Sequence, residues 1–181
     1  MIDDQRLRKA VLDVWKKEAR GRTVVAAGTS MRPLIKEGYA LTVVPMQESR
    51  QARIGDIILF DRGGGMIAHR MIGRKHRCDG VWFQEKGDNT FSPEWVHASS
   101  IIGKVVAIDT GTHVIDLTRW YWIPISRIVG YYWHWLFLMV GIILRVKTTL
   151  LPHRQLTRFG RIYAAVLRWL EKFPTIMLRI K

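Results

Sequence analysis

Residues 56–72 read Asp56-Ile57-Ile58-Leu59-Phe60-Asp61-Arg62-Gly63-Gly64-Gly65-Met66-Ile67-Ala68-His69-Arg70-Met71-Ile72. Its two apolar runs, Asp56–Phe60 and Met66–Ile72, have strand length and flank three glycines that read as a loose hairpin tip. Successive side chains of a strand point to opposite faces. Met66, Ala68, Arg70 and Ile72 therefore share one side, and Ile67, His69 and Met71 the other. An imidazole is thereby placed within an apolar alternation. It is either a core histidine bonded to backbone or a base held in a sheltered site.

Working outward, Thr23–Ala27, Ala40–Val44, Val81–Glu85 and Ile101–Ile108 are also short, β-branched and punctuated by Gly, Asp, Pro or Asn. They predict a compact, mostly antiparallel β domain over residues 22–117. Residues 1–21 precede it, with Leu7, Val11, Leu12, Val14 and Trp15 spaced as one face of a short amphipathic helix. No apolar stretch of seven residues occurs before Ser30, so neither a signal peptide nor an N-terminal anchor is expected. Past Thr118 the composition changes. Ile128–Leu144 carries no formal charge, and as a helix it would extend about 26 Å, the lower limit for crossing a hydrocarbon core. Leu156, Phe159, Ile162, Tyr163, Val166, Leu167 and Leu170 lie on one face of a second helical stretch, a pattern suited to the membrane interface.

The net charge of +14 divides unevenly. Residues 1–117 hold 18 Lys and Arg against 14 Asp and Glu, whereas residues 118–181 hold 11 against 1 and five of the eight tryptophans. Basic charge interleaved with Trp, Tyr, Leu and Ile suits a membrane surface, with anionic lipid as the partner, better than nucleic acid. The single cysteine, Cys78, excludes an internal disulfide and a cysteine-based zinc cluster. No phosphate-binding glycine loop is present.

Five stretches, in order, carry a resemblance: GTSMRPLIKEG (28–38), RIGDIILF (53–60), IAHRMIG (67–73), FQEKGDNTFSPEW (83–95) and IIGKVVAI (101–108). Together they resemble the type I signal peptidase family, with the LexA-type self-cleaving proteases as a more distant relation. No lysine lies between Lys36 and Lys75, and the base position holds His69-Arg70, as in the endoplasmic-reticulum and archaeal branch. The resemblance implies a signal-peptidase-like or LexA-like β domain, with Ser30 as nucleophile and His69 as general base. A serine hydroxyl needs such a base within hydrogen-bond reach, and free imidazole, titrating near pH 6.5, is mostly neutral at pH 7. Gly28 and Pro33 frame the serine, one permissive and one stiff, to fix an exposed turn. The acid that orients His69 is Asp88 or Glu94, both in the GDNTFSPE box, and Asp56 reads as structural. The Ser30 amide, with Thr29 as an additional donor, would form the oxyanion site, and Met31 and Pro33 would line the substrate groove.

The activity so implied is that of a membrane-associated serine endopeptidase that removes signal or leader peptides after a small residue. It calls for no metal and no organic cofactor. Its partners would be the peptide substrate and membrane lipid. With the only spanning candidate following the catalytic domain, the active site is expected to face the cytoplasm at the membrane surface. Two other functions fit parts of the pattern: a self-cleaving regulator and a non-catalytic, membrane-tethered peptide-binding adaptor. The regulator would need a scissile bond upstream of the serine, and Ala26-Ala27-Gly28 is too near to reach it. The intact Ser30 and His69 pair speaks against the adaptor.

Overall fold

Ile57, Ile58, Leu59 and Phe60 are buried in succession. Because a strand alternates its side chains, four buried residues in a row require cover on both faces. Ile57 and Leu59 join one apolar core, which includes Met31, Ile72, Ile102 and Trp133. Ile58 and Phe60 join a second, with Met71, Phe83 and Val96. The computed structural model describes residues 21–150 apart from 47, 49, 50, 64 and 91, together with Val14, Trp15 and Leu178.

The described chain is mainly β. Its strands are β1 (Arg22–Val25), β2 (Ala40–Pro45), β3 (Ile57–Arg62), β4 (Gly65–Arg77), β5 (Gly80–Lys86), β6 (Glu94–His97), β7 (Ile101–Asp109) and β8 (Val114–Asp116). They form one sheet in the order β1-β2-β7-β3-β4-β5-β6, and β8 pairs the far end of β7. Every pairing is antiparallel. The hairpin around Gly63 forms with Arg62 opposite Gly65, and Gly63 takes the left-handed φ of +58° that its tip needs. The expected faces of β4 are those observed: Ala68 and Ile72 pack with the first core, Ile67 and Met71 with the second. Strands β6 and β8, three and four residues long in β8 and β6, were not expected from the pattern, being too short to show an alternation.

A helix, α1 (Trp122–Leu150), follows the sheet. It starts six residues before the uncharged stretch begins. The Arg119 carbonyl accepts from the amides of Trp122 and Ile123, and Pro124 sits in the first turn, where a missing N–H leaves no bond unmade. Among the described residues, no helix is long and apolar enough to cross a membrane. One face of α1 instead completes the first core: Trp122, Val129 and Trp133 are almost fully buried, at about 1.5–3 kcal/mol for each large side chain removed from water. The expected helix over 156–170 lies outside the described residues, as does the N-terminal helix except for Val14 and Trp15, which are helical.

Two glycines let α1 approach the turn before β3. Gly55 has φ +97°, and a Cβ there would lie 2.2 Å from the Ser126 carbonyl oxygen, while a Cβ on Gly130 would lie 2.5 Å from the Gly55 Cα. Across this contact Asp56 pairs with Arg127 at 3.0 Å and with Lys104 at 3.5 Å, and accepts from the Arg53 amide, so its role here is structural. Gly55→Ala should therefore push the helix away from the sheet. Chemical denaturation is expected to show a loss of about 1–3 kcal/mol, combining left-handed strain with overpacking; an unchanged midpoint would mean that the contact is not required.

Candidate active site

Ser30 lies in the turn that leaves β1. Apolar anchoring shapes this turn: Met31, Leu34 and Ile35 are buried in the first core, and the Arg32 and Ile35 amides donate to the Thr29 and Met31 carbonyls. Ser30 itself is only half-buried. Its carbonyl accepts from the Asn89 amide at 2.7 Å, and the Asn89 side chain donates to the Thr29 carbonyl at 3.2 Å, so the segment after β5 clamps the turn. Among the described residues no acceptor meets the Ser30 N–H.

His69 projects from β4, and its Nε2 lies 2.9 Å from the Ser30 Oγ. Its Nδ1 lies 2.5 Å from Oε2 of Glu85. The sheet register explains the second contact. Met71 stands directly opposite Glu85, so Glu85 is the diagonal neighbour of His69 on the same face. Glu85 is 2% exposed, and its other oxygen accepts from Arg62 at 2.6 Å. Arg62 in turn donates to Glu94, also at 2.6 Å. The Glu85 carboxylate, already accepting from Arg62, offers its second oxygen to Nδ1. With Nδ1–H donating to Glu85, Nε2 is the acceptor nitrogen and faces the Ser30 hydroxyl. Phe60 meets the imidazole edge-on at 6.1 Å between ring centres, which holds the ring plane.

The carboxylate that meets His69 is thus Glu85, and neither Asp88 nor Glu94 touches the imidazole. Asp88 is bound bidentately by the fully buried Arg70, at 2.8 and 2.7 Å, and Arg70 also donates to the Gly55 carbonyl at 2.9 Å. The Asp88 amide points to the Met31 sulfur at 3.4 Å. Glu94 is 61% exposed and reaches the site only through Arg62. Three further expectations change. Met31, at 3% exposure, is a core side chain with almost no surface for a substrate, whereas Pro33 is half-buried. Thr29 is exposed, and its contacts run through its carbonyl. Gly28 is outside the left-handed region, and a Cβ there would meet nothing within 4 Å, so the serine turn makes no use of its freedom.

Gly87 is a site residue that reading the sequence missed. Continuing the β4–β5 register places it opposite His69. A Cβ there would lie 2.7 Å from the Ser30 carbonyl oxygen and 3.0 Å from His69 Nε2. Of the other histidines, His97 bonds Ser99 and Asp79, His113 bonds the threonines beside it, and His134 bonds the Ile72 carbonyl; His153 is outside the described residues. Among the described residues no group of His, Cys, Asp and Glu is arranged to hold a metal.

No family model matches the chain, and neither a curated protein nor a solved structure matches it.

Gly87→Ala is expected to leave the sheet intact while forcing the serine and imidazole apart. Turnover of an activated peptide ester should fall about 10²-fold, the effect of displacing a reacting group by about 1 Å. Unchanged turnover would show that the pair tolerates the displacement.

Proposed function

We propose that this protein is a serine endopeptidase similar to signal peptidase, with Ser30, His69 and Glu85 as its catalytic groups. The observation that carries the reading is the unbroken line from the Ser30 hydroxyl through both nitrogens of His69 to the buried Glu85 carboxylate. A line of hydroxyl, imidazole and buried acid is what nucleophilic acyl transfer requires. The finer fold assignment, a signal-peptidase-like β domain, rests on the five ordered sequence stretches together with this geometry.

In the proposed reaction Ser30 Oγ attacks the scissile carbonyl carbon as its proton passes to His69 Nε2. The Ser30 N–H faces the developing oxyanion. Glu85 stabilises the imidazolium through Nδ1–H and does not take the proton. His69 then protonates the leaving amine, the C–N bond breaks, and an acyl ester on Ser30 remains. Water, deprotonated by the same nitrogen, attacks this ester and releases the new carboxylate. The substrate class is an extended leader or signal segment with small residues at the cleavage site and two positions before it. The open space over Gly28 beside the serine suits an extended main chain.

Association with a membrane surface is part of the proposal. Its support is the outer face of α1, where Ile128, Tyr131, Trp135, Leu138 and Ile142 recur at helical spacing and are 43–58% exposed, adjoining a strongly basic C-terminal segment. Exposed apolar surface of this extent marks an interaction face.

Cleavage of a leader peptide carrying an Ala-x-Ala site tests the chemistry. Ser30→Ala and His69→Ala should each lower turnover by about 10⁴-fold or more, and Glu85→Gln by about 10²–10⁴-fold through loss of the correct tautomer. Glu94→Gln should cost less than about tenfold, as expected for an exposed ion pair. Cleavage that survives Ser30→Ala would sink the reading, and equal losses in Glu94→Gln and Glu85→Gln would remove Glu85 from its assigned role.

A further inference from the structure

Away from the serine, a cavity of about 740 Å³ opens between the 52–54 segment, Met71 and Arg74 of β4 and the flank of α1 that carries Arg127, Tyr131 and His134. Arg53, Arg74 and Arg127 line it, with Tyr131 and His134 on the helix side, and no carboxylate is among its lining residues. Arg127 is held in place from behind: Asp56 pairs with it at 3.0 Å, and the Ile54 carbonyl accepts from its other terminal nitrogen. Counting Asp56 against the three arginines leaves two positive charges without a counter-charge at this cavity. Arg53 and Arg74 are exposed, and neither side chain forms an ion pair within the described residues. Arginine side chains lining a space whose walls hold no acid favour a phosphate, whose oxygens accept from several N–H groups at once. A second observation says where that phosphate comes from. Tyr131 belongs both to the cavity wall and to the exposed apolar stripe that continues through Trp135, Leu138 and Ile142. An acyl chain would therefore have an apolar surface leading directly away from the cations.

We propose that this three-arginine cavity binds the phosphate of an anionic phospholipid, with the α1 stripe lying against the acyl region of the same membrane. The inference rests on the membrane-surface part of the proposed function and is independent of the peptidase chemistry, since none of these arginines contacts Ser30, His69 or Glu85.

The full chain is tested by co-sedimentation with vesicles of phosphatidylcholine, with and without phosphatidylglycerol. The variants are Arg53→Gln/Arg74→Gln and, as a charge-matched control, Lys36→Gln/Arg77→Gln, whose residues are outside the cavity lining. Wild type should prefer the anionic vesicles. The cavity variant should lose about thirtyfold in partitioning to them, two basic residues' share near an anionic surface, with binding to neutral vesicles unchanged and the control close to wild type. Equal partitioning of the two variants overturns the cavity as the site. Wild type that binds neither vesicle overturns the lipid assignment and the membrane reading together, while leader cleavage, measured separately, still judges the peptidase. Inorganic phosphate, compared with chloride at equal ionic strength, separates the sources. Saturable binding of phosphate without vesicle binding would assign the cavity to a soluble anion and defeat the lipid proposal.

Discussion

The buried guanidinium of Arg70 is the interaction on which the rest of the site depends. It binds both oxygens of Asp88 and the carbonyl of Gly55, and so ties together β4, the segment after β5 and the turn before β3. From Asp88 the connection passes to the Ser30 turn, through its amide to the Met31 sulfur and through the next residue's amide to the Ser30 carbonyl. From Gly55 it passes to α1, which the turn meets at Gly130. An ion pair removed from water contributes little net stability when intact. Losing one partner strands the other at a cost of about 3–5 kcal/mol, so its effect is to exclude alternative arrangements.

Strand alternation then divides labour between neighbours. On β4, His69 faces the serine and the next residue, Arg70, faces the scaffold. On β5, Glu85 serves the imidazole, while Lys86 points the other way, its ammonium 3.5 Å from the centre of the Trp133 ring on α1 and 2.9 Å from the Gly87 carbonyl. One strand thus carries the acid on one face and a contact with the helix on the other. The helix consequently buttresses the strand end that sets the distance between Glu85 and His69. Glu94 and Arg62 extend the polar line outward, and Arg62, stacked 5.1 Å over Phe60, closes it against solvent.

Helix α1 is apolar around most of its circumference, but the protein covers only part of it. Trp122, Val129 and Trp133 complete a core, and Trp135, Leu138 and Ile142 remain exposed. This explains why composition suggests a membrane element while the helix is also a structural part of the β domain. The uncharged run is covered on one face and exposed on the other, which no count of apolar residues distinguishes.

The strands and their faces were legible in the sequence because alternation is a local property: the order of apolar and polar residues in 66–72 is enough to place Ile67, His69 and Met71 together. Ser30 and His69 were legible as a candidate pair from their flanking residues, and the fold brings them to 2.9 Å. The third group was not legible. Counting back from the Arg77–Gly80 end of the β4–β5 hairpin sets the register, but an irregularity between Met71 and Gly73 shifts it by one residue. That shift places Glu85 diagonal to His69 and Gly87 opposite it, while Asp88 turns away to Arg70. The role of Met31 was hidden for a related reason, since local sequence does not show which side of a turn the core occupies. What the sequence by itself determined was the longer strands, their inward faces and the Ser30–His69 candidate pair, all set by period and local chemistry. Tertiary structure alone decided which carboxylate meets the imidazole and which face of α1 is covered, because both depend on register and packing between segments far apart in the chain.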